Sequence, residues 1–104
     1  MTISRSATKT IKDSLKGLDY QGIVLFGSRA RGQASSTSDY DLLIVLRATI
    51  SMQEKMRLSA ALRRKLACKG IDADIIIKSE DEVAYYKELI GNVTGSALAE
   101  GVSL

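Results

Sequence analysis

The sequence is most informative at residues 25–32, Leu-Phe-Gly-Ser-Arg-Ala-Arg-Gly, and at residues 38–45, Ser-Asp-Tyr-Asp-Leu-Leu-Ile-Val. The Gly-Ser pair directly follows residues 21–26, which end in an unbroken apolar run, and a second apolar run closes residues 39–46. Runs of this kind are typical of short strands that are buried on both faces. The two stretches therefore predict one strand that ends in a sharp turn and a second strand that opens with acidic residues.

Amphipathic helices are predicted on either side of these strands. The first helix is ended by Gly17 and carries apolar residues at four-residue spacing, at Ile3, Ala7, Ile11 and Leu15. The second helix spans residues 50–68 and is ended by Gly70, and its predicted apolar side consists of Met52, Met56, Leu62 and Leu66. Both helices are expected to cover the sheet.

The remaining segments complete an alternating order. A short helix capped by Ser28 is predicted over residues 29–34, and a third strand over residues 71–78. A helix rich in capping acids follows from residue 79 to about residue 90, and a short last helix lies around residues 96–100. The predicted order is α-β-α-β-α-β-α, which is an α/β (α+β) fold with helices packed on a small sheet.

Composition limits the chemistry that this chain can perform. Its 104 residues include 45% apolar and 26% charged residues, which predicts one ordinary globular domain over residues 1–104. One cysteine and no histidine exclude a Cys/His zinc site and Ser-His-Asp catalysis. No apolar run approaches the roughly 20 residues of a membrane span, so no membrane partner is expected and the cytoplasm is the default location. The net charge of +3 weakly favours anionic partners.

The Gly-Ser turn has the composition of a phosphate site. Gly27 has no Cβ to obstruct a phosphate, and Ser28 offers a hydroxyl beside the free N–H groups of a helix start. Arg29 and Arg31 add positive charge where a triphosphate would lie. No Gly-Lys-Ser/Thr sequence follows, so the turn is not a P-loop.

Two pairs of acids are candidates for a metal site. Asp39 and Asp41 are two apart on the predicted second strand, so their carboxylates share one face with Cα atoms about 7 Å apart. Mg²⁺ suits such a pair, because it takes one or two carboxylates together with phosphate oxygens. Asp72 and Asp74 are costly to bury unpaired within an apolar strand, and Asp74 can complete a three-carboxylate site if the strands are neighbours. Three carboxylates can support two metal ions.

These motifs together resemble the polymerase-beta-like nucleotidyltransferase superfamily. The shared pattern is Gly27-Ser28, ten intervening residues, Asp39-x-Asp41, and a later acid in an apolar strand. Residues 25–32 and 38–45 are similar to its minimal, MntA-like branch, and the similarity extends from about residue 5 to the end of the chain. The resemblance implies a nucleotidyltransferase fold with a small mixed sheet.

The resemblance also implies roles for single residues. Gly27 and Ser28 would hold the phosphates of an NTP, with Asp39 and Asp41 as metal ligands. Asp74 would be the third carboxylate and would orient or deprotonate the acceptor hydroxyl. The resemblance favours Asp74 over Asp72 because three isoleucines follow it directly, and Asp72 stays open as the alternative.

A reaction and a partner follow from the resemblance. Mg²⁺, with two ions expected, would assist the transfer of a nucleoside monophosphate from an NTP, with ATP expected, onto an acceptor hydroxyl. Members of the branch commonly pair with a helical HEPN-type toxin, and some act as antitoxins by adenylylating it. That toxin is therefore the expected acceptor and partner, homo- and hetero-oligomers both stay open, and nucleic acid is not expected as the main partner.

Two other functions stay open at this stage. The chain could be a binding-only antitoxin that masks a toxin without catalysis, although the presence of Asp39, Asp41 and Asp74 argues against a dead site. It could also modify a small molecule, as aminoglycoside nucleotidyltransferases do, but these enzymes need an acceptor-binding region that a chain of this length lacks unless a dimer builds one.

Ser28 provides a test of the phosphate site. If its hydroxyl binds phosphate, Ser28→Ala should weaken NTP affinity by more than the stability cost of a lost helix cap, which is about 1 kcal/mol. Calorimetric titration with a non-hydrolysable NTP and Mg²⁺ measures the affinity, and a thermal melt measures the stability. Unchanged affinity would leave Ser28 a helix cap only.

Overall fold

The computed structural model describes residues 5–27, 39–87, 97 and 100–104. The elements follow the order α1 (Arg5–Ser14), β1 (Tyr20–Phe26), β2 (Tyr40–Leu46), α2 (Met52–Cys68), β3 (Ala73–Ser79), α3 (Glu80–Lys87) and β4 (Val102–Ser103). The short helix predicted over residues 29–34 and most of the last predicted helix lie outside the described residues. Within the described ranges, no helix is long and apolar enough to cross a membrane.

The strands form one mixed sheet in the order β3-β2-β1-β4. β1 pairs antiparallel with β2 and with β4, whereas β2 pairs parallel with β3. The predicted α/β class and the small mixed sheet are confirmed. The predicted element order omitted β4, because a strand of two residues is too short to give a periodic signal. Its pairing partners are Val24 and Leu25 of β1.

One face of the sheet holds the larger core. Alternate residues along each strand point to this face, and the buried residues of α1 and α2 pack against them. The buried residues of this core are Ala7, Ile11, Leu15, Ile23, Leu25, Leu42, Ile44, Leu46, Leu62, Leu66, Ile71, Ala73 and Ile77. Burial of a leucine or isoleucine side chain stabilises the fold by roughly 1.5–3 kcal/mol.

The opposite face holds a smaller core. Leu43 and Val45 of β2 are buried there together with Ala97, and Val83 of α3 packs against them. β2 is therefore covered on both faces, which explains its continuous apolar sequence.

The predicted apolar side of α2 is partly wrong. Met52 and Met56 are each 66% exposed, while Leu62 and Leu66 are buried as predicted. The buried side of the helix continues toward its N-terminus through Leu58 and Lys55. These positions have the three- and four-residue spacing of one helix face, whereas Met56 and Leu62 are six positions apart.

Lys55 can be buried on this side of α2 because it forms an ion pair with a carboxylate. Its ammonium group donates a hydrogen bond to Glu82 at 2.5 Å, and the two side chains are 11% and 25% exposed. Glu82 also accepts from the Ser79 amide at 3.0 Å, while the Ser79 hydroxyl accepts from the Glu82 amide and from Thr49. This reciprocal capping box begins α3 and connects it to β3 and α2.

The same contacts set the acidity of Glu82. Burial raises the pKa of Glu82, but hydrogen bonds from Lys55 and Ser79 and the charge of Lys55 outweigh burial, so the pKa is lowered from 4.5. Because the folded pKa lies below the unfolded one, this stabilisation is complete above pH 4.5 and is lost as the pH falls through the lowered folded pKa.

We expect Glu82→Gln to destabilise the fold by about 1–3 kcal/mol at pH 7, because it leaves Lys55 buried without a counter-charge. The double variant Lys55→Met/Glu82→Gln should recover part of this loss. Denaturant unfolding across pH 3–7 checks both points, and the gap in unfolding free energy between wild type and Glu82→Gln should narrow as the pH falls below 4.5 toward the lowered folded pKa of Glu82. A gap that is constant with pH would contradict the assigned role of the Glu82 charge.

Candidate functional site

The predicted site residues that the structure describes gather at one end of the sheet. Gly27 directly follows β1, while Asp41 is the second residue of β2 and Asp74 the second residue of β3. Because β1 runs antiparallel to β2 and β2 runs parallel to β3, the end of β1 lies beside the starts of the other two strands. Asp39, which was predicted to lie within the second strand, instead directly precedes it and is exposed.

The register of the parallel pair brings two acids together. Asp41 is the direct partner of Asp74, and a hydrogen bond of 2.9 Å from the Tyr40 amide to the Asp72 carbonyl opens this pairing. By strand alternation Asp41 lies on the face of Leu43, opposite to α1 and α2. The two strands are neighbours, which is the condition for Asp74 to join Asp41, and their register favours Asp74 over Asp72 as the acid that faces Asp41.

Gly27 leaves space for the Asp41 carboxylate because it has no side chain. Its φ of 74° lies in the left-handed region that favours glycine. A Cβ at this position would collide with the Asp41 carboxylate. The turn after β1 therefore fits closely against Asp41, which is half-buried.

The other acids line an open pocket of about 280 Å³. Asp39, Asp72 and Asp74 contribute three carboxylates to it, and Arg63 of α2 contributes one guanidinium group. Asp74 accepts a hydrogen bond of 2.5 Å from Arg63, whose Nε also donates to the Ala73 carbonyl at 3.1 Å. An excess of carboxylates in an open pocket is suited to attract cations.

Arg63 lines this pocket, although its local sequence does not indicate it. It lies in the basic run of residues 63–65, Arg-Arg-Lys, whose composition is typical of a solvated helix face. Only the docking of α2 against β3 distinguishes Arg63 from its neighbours. A local sequence signal for this role is lacking.

The donor set fits a divalent cation in kind. Asp39, Asp41 and Asp74 offer only oxygen ligands, which Mg²⁺ prefers, and the contact of Gly27 with Asp41 leaves no room for a Cβ beside that carboxylate. No three such acids in the described part of the chain converge on one point, and Asp74 instead contacts Arg63. Ser28, Arg29 and Arg31, the predicted phosphate contacts, lie outside the described residues.

The fold is that of a nucleotidyltransferase domain. The chain belongs to the Polymerase beta, Nucleotidyltransferase family, whose model matches residues 9–94. No curated protein matches the chain in sequence.

Solved structures share this fold. A protein assigned as a nucleotidyltransferase in Sulfolobus solfataricus is 20% identical, with a TM-score of 0.59 over 99% of this chain and 89% of that one. A protein assigned as a minimal nucleotidyltransferase is 27% identical, with the same TM-score over 96% of this chain and 91% of that one. A toxin–antitoxin structure with AMP-PNP is 16% identical, with a TM-score of 0.59 over 97% of this chain and 72% of that one.

Gly27→Ala should destabilise the fold by about 1–3 kcal/mol, since it adds left-handed backbone strain of about 1 kcal/mol and forces the Asp41 carboxylate away from the added Cβ. Gly17→Ala is the matched control, because Gly17 has a φ of 85° and nothing lies within 4 Å of an added Cβ. The control should therefore lose only the strain contribution. Denaturant unfolding of both variants measures the difference, and equal losses would contradict the close fit of Gly27 to Asp41.

Proposed function

We propose that this chain transfers AMP from ATP onto a hydroxyl group of a partner protein, and that this partner is a HEPN-type toxin that the chain counteracts. The proposal rests above all on one observation, the register that sets Asp41 opposite Asp74 beside Gly27 in a chain of this family. The structural neighbours support the choice of nucleotide and partner, since they include a toxin–antitoxin structure with AMP-PNP and the toxin–antitoxin MntA-HpeT.

Each residue has a task in the proposed reaction. The backbone of Gly27 and the Ser28 hydroxyl bind the phosphates of ATP, and Arg29 and Arg31 add positive charge beside them. The Asp39 and Asp41 carboxylates hold Mg²⁺, with two ions expected. When bound, Mg²⁺ neutralises charge on the phosphates and on the departing pyrophosphate.

The third carboxylate acts on the acceptor. Asp74 orients the acceptor hydroxyl for in-line attack on the α-phosphorus and accepts its proton. A bond forms between the acceptor oxygen and the α-phosphorus, and the bond from that phosphorus to the bridging oxygen breaks, so that pyrophosphate leaves. Orientation and charge neutralisation supply most of the rate, as is usual in phosphoryl transfer.

The shape of the pocket favours a macromolecular acceptor. Sites for small molecules usually bury most of the surface of their ligand. The pocket beside Asp74 is open. An acceptor that brings its own contact surface, as a folded protein does, fits such a site better than a small molecule that must be enclosed.

A binding-only antitoxin is the second candidate. The contact of Asp74 with Arg63 favours it, since this acid is engaged with a side chain of its own protein. Such a protein would mask the toxin through a broad surface and would not need the acids.

Variants of the acids test the proposed reaction. Asp41→Asn should reduce transfer at least about 100-fold, because it removes a ligand of the Mg²⁺ that neutralises charge in the reaction, without lowering the thermal midpoint. Asp74→Asn should still bind ATP but fail to transfer. Asp72→Asn is the matched control, because it lines the same pocket but is not the register partner of Asp41, and it should transfer at nearly the wild-type rate.

Mass spectrometry of a co-expressed HEPN-type toxin gives the readout, and each added AMP raises its mass by about 329 Da, as attack at phosphorus requires. If Asp74→Asn transfers normally and Asp72→Asn does not, then Asp72 is the third carboxylate. If the wild-type chain silences the toxin without modifying it, the binding-only function is correct.

A further inference from the structure

Three polar residues of α2 lie along the outer edge of β3. Lys55, Ser59 and Arg63 are each four residues apart and therefore share one side of the helix. The Ser59 hydroxyl donates to the Ile75 carbonyl at 3.3 Å, and Arg63 Nε donates to the Ala73 carbonyl at 3.1 Å. Because β3 is the last strand of the sheet, α2 side chains thus occupy backbone acceptors that a further strand would use.

Arg63 does more than cover this edge. While Nε holds the Ala73 carbonyl, Nη2 reaches Asp74 Oδ1 at 2.5 Å. One guanidinium group therefore binds both the backbone of β3 and the side chain of its second residue. Such a fork has a defined direction, because the guanidinium group is planar and its donors are rigidly spaced.

The position of Asp74 makes this contact a competitor for a cation. The Cα atoms of Asp74 and Asp41 are register partners on neighbouring strands, so a cation bound beside Asp41 would lie close to the acid that contacts Arg63. A guanidinium group and a divalent cation repel each other when they share one carboxylate. No three acids in the described segments converge while the contact with Arg63 is made.

We propose that Arg63 is a positioning residue that holds Asp74 at the edge of the sheet and releases it to a divalent cation bound beside Asp41. This inference rests on the proposed function, since it takes Asp74 as the third carboxylate. Arg63 would keep the acid ordered before the cation arrives, and the site would be assembled only when the cation replaces the guanidinium group.

The exposure of the pair makes this exchange feasible. The Arg63 and Asp74 side chains are 53% and 54% exposed, and pairs in this range contribute little to stability, equivalent to roughly a two- to fivefold change in an equilibrium constant. A cation can readily overcome a competitor of this strength. Removal of Arg63 should therefore tighten cation binding by about two- to fivefold, and the loss of a nearby positive charge acts in the same direction.

Manganese titration of the whole chain, followed by electron paramagnetic resonance without nucleotide or partner, tests the exchange. Arg63→Met should bind Mn²⁺ about two- to fivefold more tightly than wild type. Arg64→Met is the matched control, because it removes the same charge from the next residue of α2, which is also exposed. Equal affinity in the two variants, or weaker binding by Arg63→Met, would overturn the proposal.

A second measurement uses the wild-type chain and needs no variant to fold. In nuclear magnetic resonance spectra, saturating Mg²⁺ should shift the side-chain carboxyl carbon of Asp74 and the Nη signals of Arg63 together, while the Arg63 Nε signal keeps its hydrogen-bonded shift. A carboxyl carbon that moves while the Nη signals stay unchanged would show that the cation does not displace Arg63, and the proposal would fail.

Asp41→Asn separates this proposal from the proposed function. If wild type binds Mn²⁺ and Asp41→Asn does not, the metal site stands, and equal affinities of Arg63→Met and Arg64→Met then refute only the role of Arg63. If wild type does not bind Mn²⁺ at millimolar concentrations, the proposal for Arg63 is wrong. The proposed function is then decided separately by transfer to the toxin, because ATP supplies phosphate oxygens to the metal in that experiment.

Discussion

The parallel pairing of β2 with β3 is the constraint on which the candidate site depends. Leu42 and Leu43 are both completely buried, on opposite faces of the sheet, so β2 has no solvent-facing side over this stretch. A shift of one residue would exchange the two faces and place every side chain in the wrong core. Burial in the two cores therefore fixes the register of β2 with β3, and this register places Asp41 opposite Asp74.

The direction of the strands then determines which chemical groups meet. β1 ends where β2 and β3 begin, so the turn at Gly27 and the acids of two strands share one end of the sheet. Loops and strand ends can carry exposed charge without disturbing the core, and functional residues commonly lie at such positions. The close fit of Gly27 to Asp41 extends this arrangement from the backbone to the side chains.

Two ion pairs on one side of α2 differ in what they contribute. Lys55 and Glu82 are largely buried and belong to the capping network of α3. Loss of one partner therefore leaves the charge of the other buried and unpaired. Arg63 and Asp74 are half-exposed, so their pairing is weak and can be exchanged. Burial thus distinguishes a contact that supports the fold from one that can respond to a ligand.

Local sequence determined the α/β class, the three longer strands, the acids and the turn at Gly27, because periodicity and glycine act over a few neighbouring residues. Tertiary structure decided the side of α2 that is buried, the addition of β4 and the contact of Arg63 with Asp74. From local sequence alone, a lysine at position 55 argues against a buried helix face. Its burial is explained only by Glu82, 27 residues further along, which supplies the counter-charge. In the sequence, Arg63 likewise cannot be distinguished from its solvated neighbours Arg64 and Lys65. Only the packing of β3 beside α2 gives it a partner, because ion pairs between distant residues leave no periodic pattern in the sequence.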